Sequence, residues 1–472
     1  MSETAGARPA AVVIVGGGYT GATVAWNLAR QAAADDLPVL VVEPRPVLGA
    51  GLAYSTAEPS HRINVPAGRM SISTADPEAF QRWLDARTVP DADEVAAGAR
   101  YPARALFGAF VAGQLQPLLD AGRVRHIAAR AVAATPAGRG EGFTLRLDDG
   151  REIAAGTLVL ATSHPAPAVP APLQGLAGQP GFFADPTAAG IADAIPPAAR
   201  VLIVGTGLTM ADMVAALDGR GHSAEIVALS RHGLRSRGHA PAGPGPFGDF
   251  ATRPARQVSD LLRNVRAAVR QAAAAGLPWQ VVLDRVRTDG PAIWQALPPD
   301  GRRRLVRHLR TFWDVHRFRI APQIEAVLDR RAAAGLFAVQ AAHLTGAEAV
   351  AGGGFVVRWR LRGSTQTAEE RFDAVVVATG PAHGDIIHRN PVVASLAAQG
   401  LVGLDPTGLG LTTSPDARAI GRDGQARDDL FIAGPLARGT FGELMGLPDV
   451  TAYAEKVAGD VIRRLEKIPA IA

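Results

Sequence analysis

The sequence predicts an α/β protein with two Rossmann-like dinucleotide-binding units, a β-meander in each crossover and a helical insert, and three observations predict it. Two hydrophobic strands run straight into glycine turns, at AVVIVGGGYTGATVA (11–25) and VLIVGTGLTMAD (201–212). Two other stretches echo one another, GFTLRLDDGREIAAGTLVLATSHPAP from Gly142 and GFVVRWRLRGSTQTAEERFDAVVVATGPAH from Gly354. Between the second turn and the second echo, residues 256–333 are rich in Ala, Leu and Arg, as a helical region would be.

In the first unit, AVVIV is a β-branched run suited to a buried parallel strand. Gly16, Gly18 and Gly21 follow in GxGxxG spacing, and TVAWNLARQ reads as a helix. The first glycine permits a tight turn, the second lets backbone approach a diphosphate, and the third lets helix pack on strand. The helix then presents its unpaired N–H groups to the phosphates. A second apolar strand, LPVLVVE, ends at Glu43. A carboxylate there can hydrogen-bond the ribose hydroxyls of an adenosine; the alternative is an ordinary turn with a solvent-facing Glu.

The second unit repeats the design with a difference. VLIV leads into Gly205 and Gly207, and the third small residue is Ala211. The next strand, AEIVALS, ends in Ser230-Arg231-His232, with Arg235 and Arg237 close behind and no carboxylate where Glu43 stood. A basic residue at that place suits a 2′-phosphate over a plain ribose. The expected ligand is NADPH; the alternative is that these arginines line a solvated loop. Each echo reads as a meander ending in an apolar strand and then ATS or ATG, the pattern of a chain that leaves one nucleotide domain, builds another and returns.

Composition sets bounds. The 472 residues amount to roughly three domains by length. A net charge of +5 on such a chain argues little for nucleic acid, and no zinc-finger or RNA-binding aromatic signature occurs. There is no cysteine, which removes disulfides, thiolate metal sites, cysteine nucleophiles and CxxC redox pairs. The eleven histidines form no HExxH, so no metal is expected. MSETAGARPA lacks the features of a signal peptide, and no uncharged apolar run reaches the about 18 residues of a membrane span. The expectation is a soluble cytoplasmic protein without nucleic-acid or membrane partners; the sequence leaves the oligomeric state open.

The residues quoted resemble the two-dinucleotide-binding flavoproteins, which carry FAD in one Rossmann-like domain and NAD(P)H in an inserted one. The matching pieces are GGGYTG, the ATS and ATG strand ends, GTGLTMAD and DDLFIAGPLARGTFGE (428–443). LGAGLAYSTAEPSHRINVPAGRMS (48–71) and FWDVHRFRIAP (312–322) resemble a bacterial FAD/NAD(P)-binding group related to flavin-containing and amino-acid N-hydroxylating monooxygenases, some of which oxidise aspartate to a nitro acid. The resemblance covers most of the chain. It departs at Ser163, which stands where the first ATG would have glycine, a small change that leaves FAD in place.

The resemblance implies FAD contacts at Gly16, Gly18, Tyr19, Thr20, Gly21, Glu43, Asn64, Met70, Val132, Ala161, Thr162, Gly434, Thr440 and Phe441. It implies NADPH contacts at Gly205, Gly207, Leu208, Thr209, Ser230 and Arg231. The C-terminal piece would close over the flavin, with a helix N-terminus near the pyrimidine side of the ring. The domains would be FAD-binding over 1–175 and 370–472, around an inserted NADPH domain over 176–369. Residues 240–255, rich in Gly and Pro, read as a loop, and the helical insert of about 256–333 as a cap that selects substrate.

Two nucleotide sites let one chain bring nicotinamide C4 to flavin N5, about 3 to 3.5 Å apart for transfer. The cofactors carry the redox chemistry. Without cysteine, haem or iron–sulfur motifs, the electrons go to oxygen, a diffusible acceptor or a partner protein. The resemblance implies molecular oxygen, held as a flavin C4a-hydroperoxide and delivered to a small-molecule substrate. The expected activity is NADPH-dependent N-hydroxylation of a small amino acid or amine, an acidic one such as aspartate included. The rivals are a flavin reductase or dehydrogenase with a non-oxygen acceptor, and a non-catalytic FAD-binding redox sensor.

Three residues are candidates for the chemistry. Asn64, in HRINVPAGRMS, would bond the flavin or the peroxide, or else cap a structural turn that cannot be regular helix. In DGRRRLVRHLRTFWDVHRFRIAP, Leu305, Val306, Leu309, Phe312, Trp313 and Phe318 recur near helical spacing, which predicts a buried face opposite a solvated basic one. At its end His316, Arg317 and Arg319 crowd among aromatics. An arginine there would hold a substrate carboxylate in a bidentate pair, an NADPH phosphate, or a buried carboxylate such as Asp314.

Overall fold

The computed structural model describes residues 10–31, 39–88, 95–96, 98–137, 142–163, 165–241, 243 and 245–467. In chain order the first unit contains β1 (Ala10–Val15), α1 (Tyr19–Gln31), β2 (Val39–Val42), α2 (Gly51–Tyr54), α3 (Ala79–Asp85), a short hairpin of β3 (Val95–Ala96) and β4 (Ala99–Arg100), and α4 (Arg104–Asp120). Then come β5 (Val124–Ile127), β6 (Ala131–Pro136), β7 (Phe143–Leu147) and β8 (Glu152–Leu160). The sheet runs β16-β17-β8-β1-β2-β5, with β6 and β7 as an antiparallel meander leading into β8; its β16 (Arg418–Ile420) and β17 (Ala426–Ile432) arrive from the far end of the chain. The strands from β17 to β5 are parallel, with Ile14 opposite Val159 and Val41. Both faces of such a sheet are covered, which is why Val12–Val15 and Leu158–Leu160 are apolar without alternation and buried throughout.

The second unit is built the same way. It contains β9 (Phe182–Phe183), α5 (Ile191–Ala194), β10 (Val201–Val204), α6 (Leu208–Gly219) and β11 (Ile226–Ser230). Five helices follow: α7 (Val258–Ala274), α8 (Gln280–Thr288), α9 (Gly290–Ala296), α10 (Pro299–Arg317) and α11 (Pro322–Ala333). Then come β12 (Phe337–Ala349), β13 (Phe355–Leu361), β14 (Thr367–Phe372) and β15 (Ala374–Val377). The order is β14-β13-β12-β11-β10-β15-β9, parallel from β9 to β12 and antiparallel through the meander. Two boundaries differ from the sequence reading. β15 pairs with β10 and β9, so the return to the first unit falls after Val377 and not at 370. α11 packs on α6 and feeds β12 beside β11, so it is the crossover helix of the second unit, and the added cap is α7–α10.

The cap has its own small core, in which Leu261, Val282, Ile293 and Leu297 meet Phe250 from the preceding loop. The described residues of 240–255 contain no helix or strand, as expected. After β15 come α12 (Ile386–Arg389) and α13 (Pro391–Ala398), and after β17 come α14 (Arg438–Phe441) and α15 (Asp449–Leu465). α15 buries Val450, Tyr453, Ala454, Val457, Ala458 and Val461, a stripe at helical spacing that packs on α1. One apolar core runs through both sheets, from Val13 to Ile203. Ion pairs cross between the units at Arg104–Asp212 (2.7 Å) and Arg220–Glu58 (2.6 Å).

Candidate active site

At the carboxyl end of β1, Gly16 adopts φ +101°, and a Cβ there would stand 2.6 Å from the Ala161 carbonyl at the end of β8. Its N–H donates to the Val42 carbonyl at 2.9 Å, tying the turn to β2. At Gly21 a Cβ would overlap the Gly16 carbonyl. Gly18 is different: the nearest atom to a Cβ would be the Gly51 Cα, at 3.4 Å. The turn is therefore closed where strand and helix meet and open above Gly18, where α1 begins. That is the form of a diphosphate cradle. Gly51, from the LGAGLAY stretch, forms its other wall, a role not read from the sequence.

Glu43 is buried, and its Oε2 accepts from the Gly17 N–H at 2.9 Å. Its Oε1 accepts from the Arg45 N–H and guanidinium, both at 3.1 Å. A carboxylate has about four acceptor positions, so one remains for a ribose hydroxyl. Thr20 lies against Gly434, where a Cβ would come 2.7 Å from its Oγ1. Ala161, Thr162 and Gly434 gather at the ends of β8 and β17 beside Gly16. Val132, on β6, follows closely on β5, whose Ile127 pairs with Val42.

Other members of the set turn their side chains inward. The Tyr19 hydroxyl donates to the Ser71 carbonyl at 2.6 Å, shares a 2.5 Å hydrogen bond with Thr451, and is pushed above the usual tyrosine range by burial. Met70 lies in the core after a 3-10 turn at Ala67–Arg69, so only its backbone can face a ligand. Thr440 bonds Thr413, and Phe441 packs on Tyr453 with ring centroids 4.8 Å apart. By contrast, the Oγ1 atoms of Thr162 and Thr413 are buried without a hydrogen-bond partner among the described residues. Buried hydroxyls in that state call for a polar ligand. An open cradle, a fixed acid and two orphaned hydroxyls fit FAD.

The second turn mirrors the first. Gly205 adopts φ +120° under the Ala378 carbonyl at the end of β15, so the ATG motif closes this turn and not the flavin domain. Around Gly207 a Cβ would meet nothing within 4 Å, and Leu208 and Thr209 open α6 beside it. The Ser230 Oγ lies 2.9 Å from Thr206 Oγ1, which also bonds the Leu234 carbonyl, and accepts from the Gly233 N–H at 3.1 Å. Arg231 is exposed and has no acidic partner among the described residues. Arg235 is taken by Asp329 at 2.5 Å. Arg362, which follows β13, stands 3.2 Å from the His232 ring, whose pKa is lowered by burial and by Arg362 and Arg231. Arg231 and Arg362, with the neutral His232 ring beside them, form a cationic corner at the end of β11, fit for the 2′-phosphate of NADPH. Arg362 was missed, though the echoes held the signal: RLRG in the second copy stands where RLDDG stands in the first.

Between the units, the Asn64 carbonyl accepts from His239 Nε2 at 3.1 Å, and its side-chain amide has no partner among the described residues. The His239 ring lies 4.9 Å from Tyr101. Its pKa is pushed down to about 4 by burial and by Arg319, so it is a neutral donor here. Burial pushes Tyr101 up to about 12. Arg319 pairs with Asp284 at 2.9 Å and donates to the His316 and Gln280 carbonyls. Arg317 pairs with Glu443 at 3.1 Å and Asp449 at 3.6 Å. Both residues are 8% exposed and paired with protein carboxylates, which is the third of the alternatives the sequence left open, with Glu443, Asp449 and Asp284 in the place suggested for Asp314. Arg317 Nε and Nη2 make no hydrogen bond among the described residues. His316 stacks edge-on against Trp279 at 5.0 Å and faces a cavity. The apolar stripe of α10 lines that cavity in place of a packed core, and Phe312 stays 41% exposed. The contact of Asn64 with His239 could not be read from a sequence separation of 175 residues.

No helix among the described residues is long and apolar enough to cross a membrane. No group of three or more potential metal ligands occurs among them.

Residues 13–165 match the model of an FAD-NAD(P)-binding family. No curated protein matches the sequence. Among solved structures, the reduced ornithine hydroxylase of Pseudomonas aeruginosa is similar at 16% identity, with 97% of this chain and 100% of that one covered and a TM-score of 0.65. The ornithine N-hydroxylase of Kutzneria sp. 744, with reduced FAD, NADP+ and L-ornithine, is similar at 17% identity, covering 97% and 100%, with a TM-score of 0.62. Lactococcus lactis thioredoxin reductase is similar at 11% identity, covering 97% and 99%, with a TM-score of 0.54. Residues 13–165 thus form an FAD/NAD(P)-binding domain, and the chain as a whole has the fold of the two-dinucleotide-binding flavoproteins.

Proposed function

We propose that this chain is an NADPH-dependent FAD monooxygenase that N-hydroxylates a small amine or amino acid. The observation that carries the reading is a pair of open glycine turns on two sheets locked together, in a chain without a cysteine. The fold is shared by thioredoxin reductase and by amine hydroxylases. The missing thiols close a dithiol route within this chain, and the greater likeness is to the hydroxylases.

Bound FAD would supply hydride acceptance and oxygen activation. The protein's part is orientation and exclusion of water. The open side of Gly18 and the α1 N-terminus seat the flavin diphosphate; Gly207 and the Arg231–His232–Arg362 corner seat NADPH. His239, neutral, holds the Asn64 carbonyl, and the Asn64 amide would be available to a bound flavin. Arg319, tied to Asp284, is a positioning residue whose charge acts on His239 and Tyr101. Aspartate as substrate loses its support, because Arg317 and Arg319 are already neutralised by protein carboxylates.

The test is anaerobic mixing of FAD-loaded protein with NADPH, followed by oxygenated buffer and a panel of amines. Flavin bleaching, then oxygen uptake coupled to a hydroxylamine product, is expected. Bleaching with no oxygen uptake, but rapid reoxidation by a quinone, would give the protein to the reductases. No bleaching would leave a flavin-binding sensor.

A further inference from the structure

Between α7, α8, α9, α10 and residues 438–443 lies a cavity of about 310 Å³. Its walls are apolar, with Val286, Trp294, Leu309 and Trp313 among them. A packed interior leaves few voids larger than a water molecule. This one is about twice the roughly 150 Å³ of an apolar cavity that stays dry and takes benzene. It is therefore shaped for a body larger than one phenyl ring. The wall also belongs to the segment that carries Gly434 and Thr440: Gly442 and Glu443 line it, and Trp294 donates to the Gly439 carbonyl at 2.9 Å.

The charged groups on the wall are unequal. Arg310 and Arg438 both turn to Asp314, at 3.3 and 3.8 Å. Glu443 has a side chain only 7% exposed; its Oε2 accepts from Trp313 Nε1–H at 3.3 Å. Its Oε1 has no hydrogen bond among the described residues, since Arg317, 3.1 Å away, balances its charge out of alignment. A buried carboxylate oxygen left in that state seeks an N–H donor. A ligand carboxylate would meet Glu443 and find both wall cations occupied. A dibasic chain would leave its second charge against Leu and Trp, at a desolvation cost nothing repays.

We propose that this cavity is the substrate site and takes a primary amine on an apolar body, aromatic or branched aliphatic, with its ammonium at Glu443 and its body against Leu309 and Trp313. This rests on the monooxygenase reading for its chemistry, and not for binding. The test is calorimetric titration of the FAD-loaded protein with 2-phenylethylamine, ethylbenzene, L-aspartate and L-ornithine. Saturable 1:1 binding of the amine is expected, with both amino acids at least ten-fold weaker. Glu443→Gln should weaken the amine about ten-fold or more and ethylbenzene less than two-fold; Leu309→Trp, which fills the cavity, should abolish both. Aspartate or ornithine binding as tightly as the amine, or amine binding that survives Leu309→Trp, would overturn the assignment. Amine binding without NADPH-driven hydroxylamine would keep the cavity and discard the monooxygenase.

Discussion

Arg231 is one exposed side chain, and the proposed preference for NADPH over NADH rests on it. Hydrogen bonds to charged groups contribute about 1.5 to 3 kcal/mol, so Arg231→Ala should raise the KM for NADPH about ten- to a hundred-fold and leave that for NADH nearly unchanged. Arg362→Ala should act in the same sense, and equal losses with both cofactors would remove the 2′-phosphate from this corner. His232 adds a pH dependence. Its pKa is lowered in the free protein, so it is neutral at pH 7. A phosphate beside it would raise that pKa, and binding would then take up a proton. NADPH affinity should therefore tighten as pH falls below 7, by at most about ten-fold per unit, while NADH affinity stays flat. Titrations of both cofactors across that range decide it. Arg231 was legible because it follows its own strand; Arg362 arrives from β13, which only sheet pairing brings alongside.

At the scale of elements, the two glycine turns separate folding from ligand binding. Gly18→Val keeps the strand–helix junction and fills the diphosphate's place, so the protein should fold and emerge colourless. Gly21→Val drives a side chain into the Gly16 carbonyl, so it should lose helical signal and thermal stability along with flavin. Flavin absorbance beside circular dichroism tells these apart; retained flavin in Gly18→Val would sink the first site. α10 teaches the converse. Its apolar spacing was plain, and spacing alone implies burial. The partners of that stripe stand back, so it lines a cavity. The same helix end shows what the sequence left open at Arg317 and Arg319: an arginine among aromatics needs an anion, and here Glu443, Asp449 and Asp284 supply it from elsewhere in the chain.

Over the whole molecule, hydride transfer between the two cofactor sites would need the two sheets held in a fixed arrangement. The Arg104–Asp212 pair crosses between them where both partners are largely buried. Arg104→Ala should slow flavin reduction by NADPH, by about ten-fold if the buried charge of Asp212 costs about 1.4 kcal/mol in the closed arrangement, with flavin content unchanged; stopped-flow bleaching measures this. His239 sits at the same junction, with a folded-state pKa of about 4 against 6.5. As pH falls, the unfolded chain takes up a proton before the folded protein does. The stability His239 contributes is thus complete above about pH 6.5 and is lost between there and about 4, on the order of 3 kcal/mol. Urea midpoints over that window should fall less steeply in His239→Gln, and an unchanged slope would show that another group carries the acid sensitivity.

The sequence by itself determined what depends on neighbours along the chain: the two strand–turn–helix units, their glycine roles, the meanders, the helical nature of 256–333 and the cofactor classes. These are local, because hydrophobic period and a tight turn are properties of a few consecutive residues. Tertiary structure alone decided who meets whom. It moved β15 and its ATG end to the second sheet, because strand membership is settled by pairing and not by motif. It turned Tyr19 and Met70 into the core, tied Arg317 and Arg319 to protein carboxylates, and set Arg362 beside His232. It also opened the cavity under α10. Each of these depends on groups far apart in the chain, whose charge and packing become interactions only when folding removes the water between them.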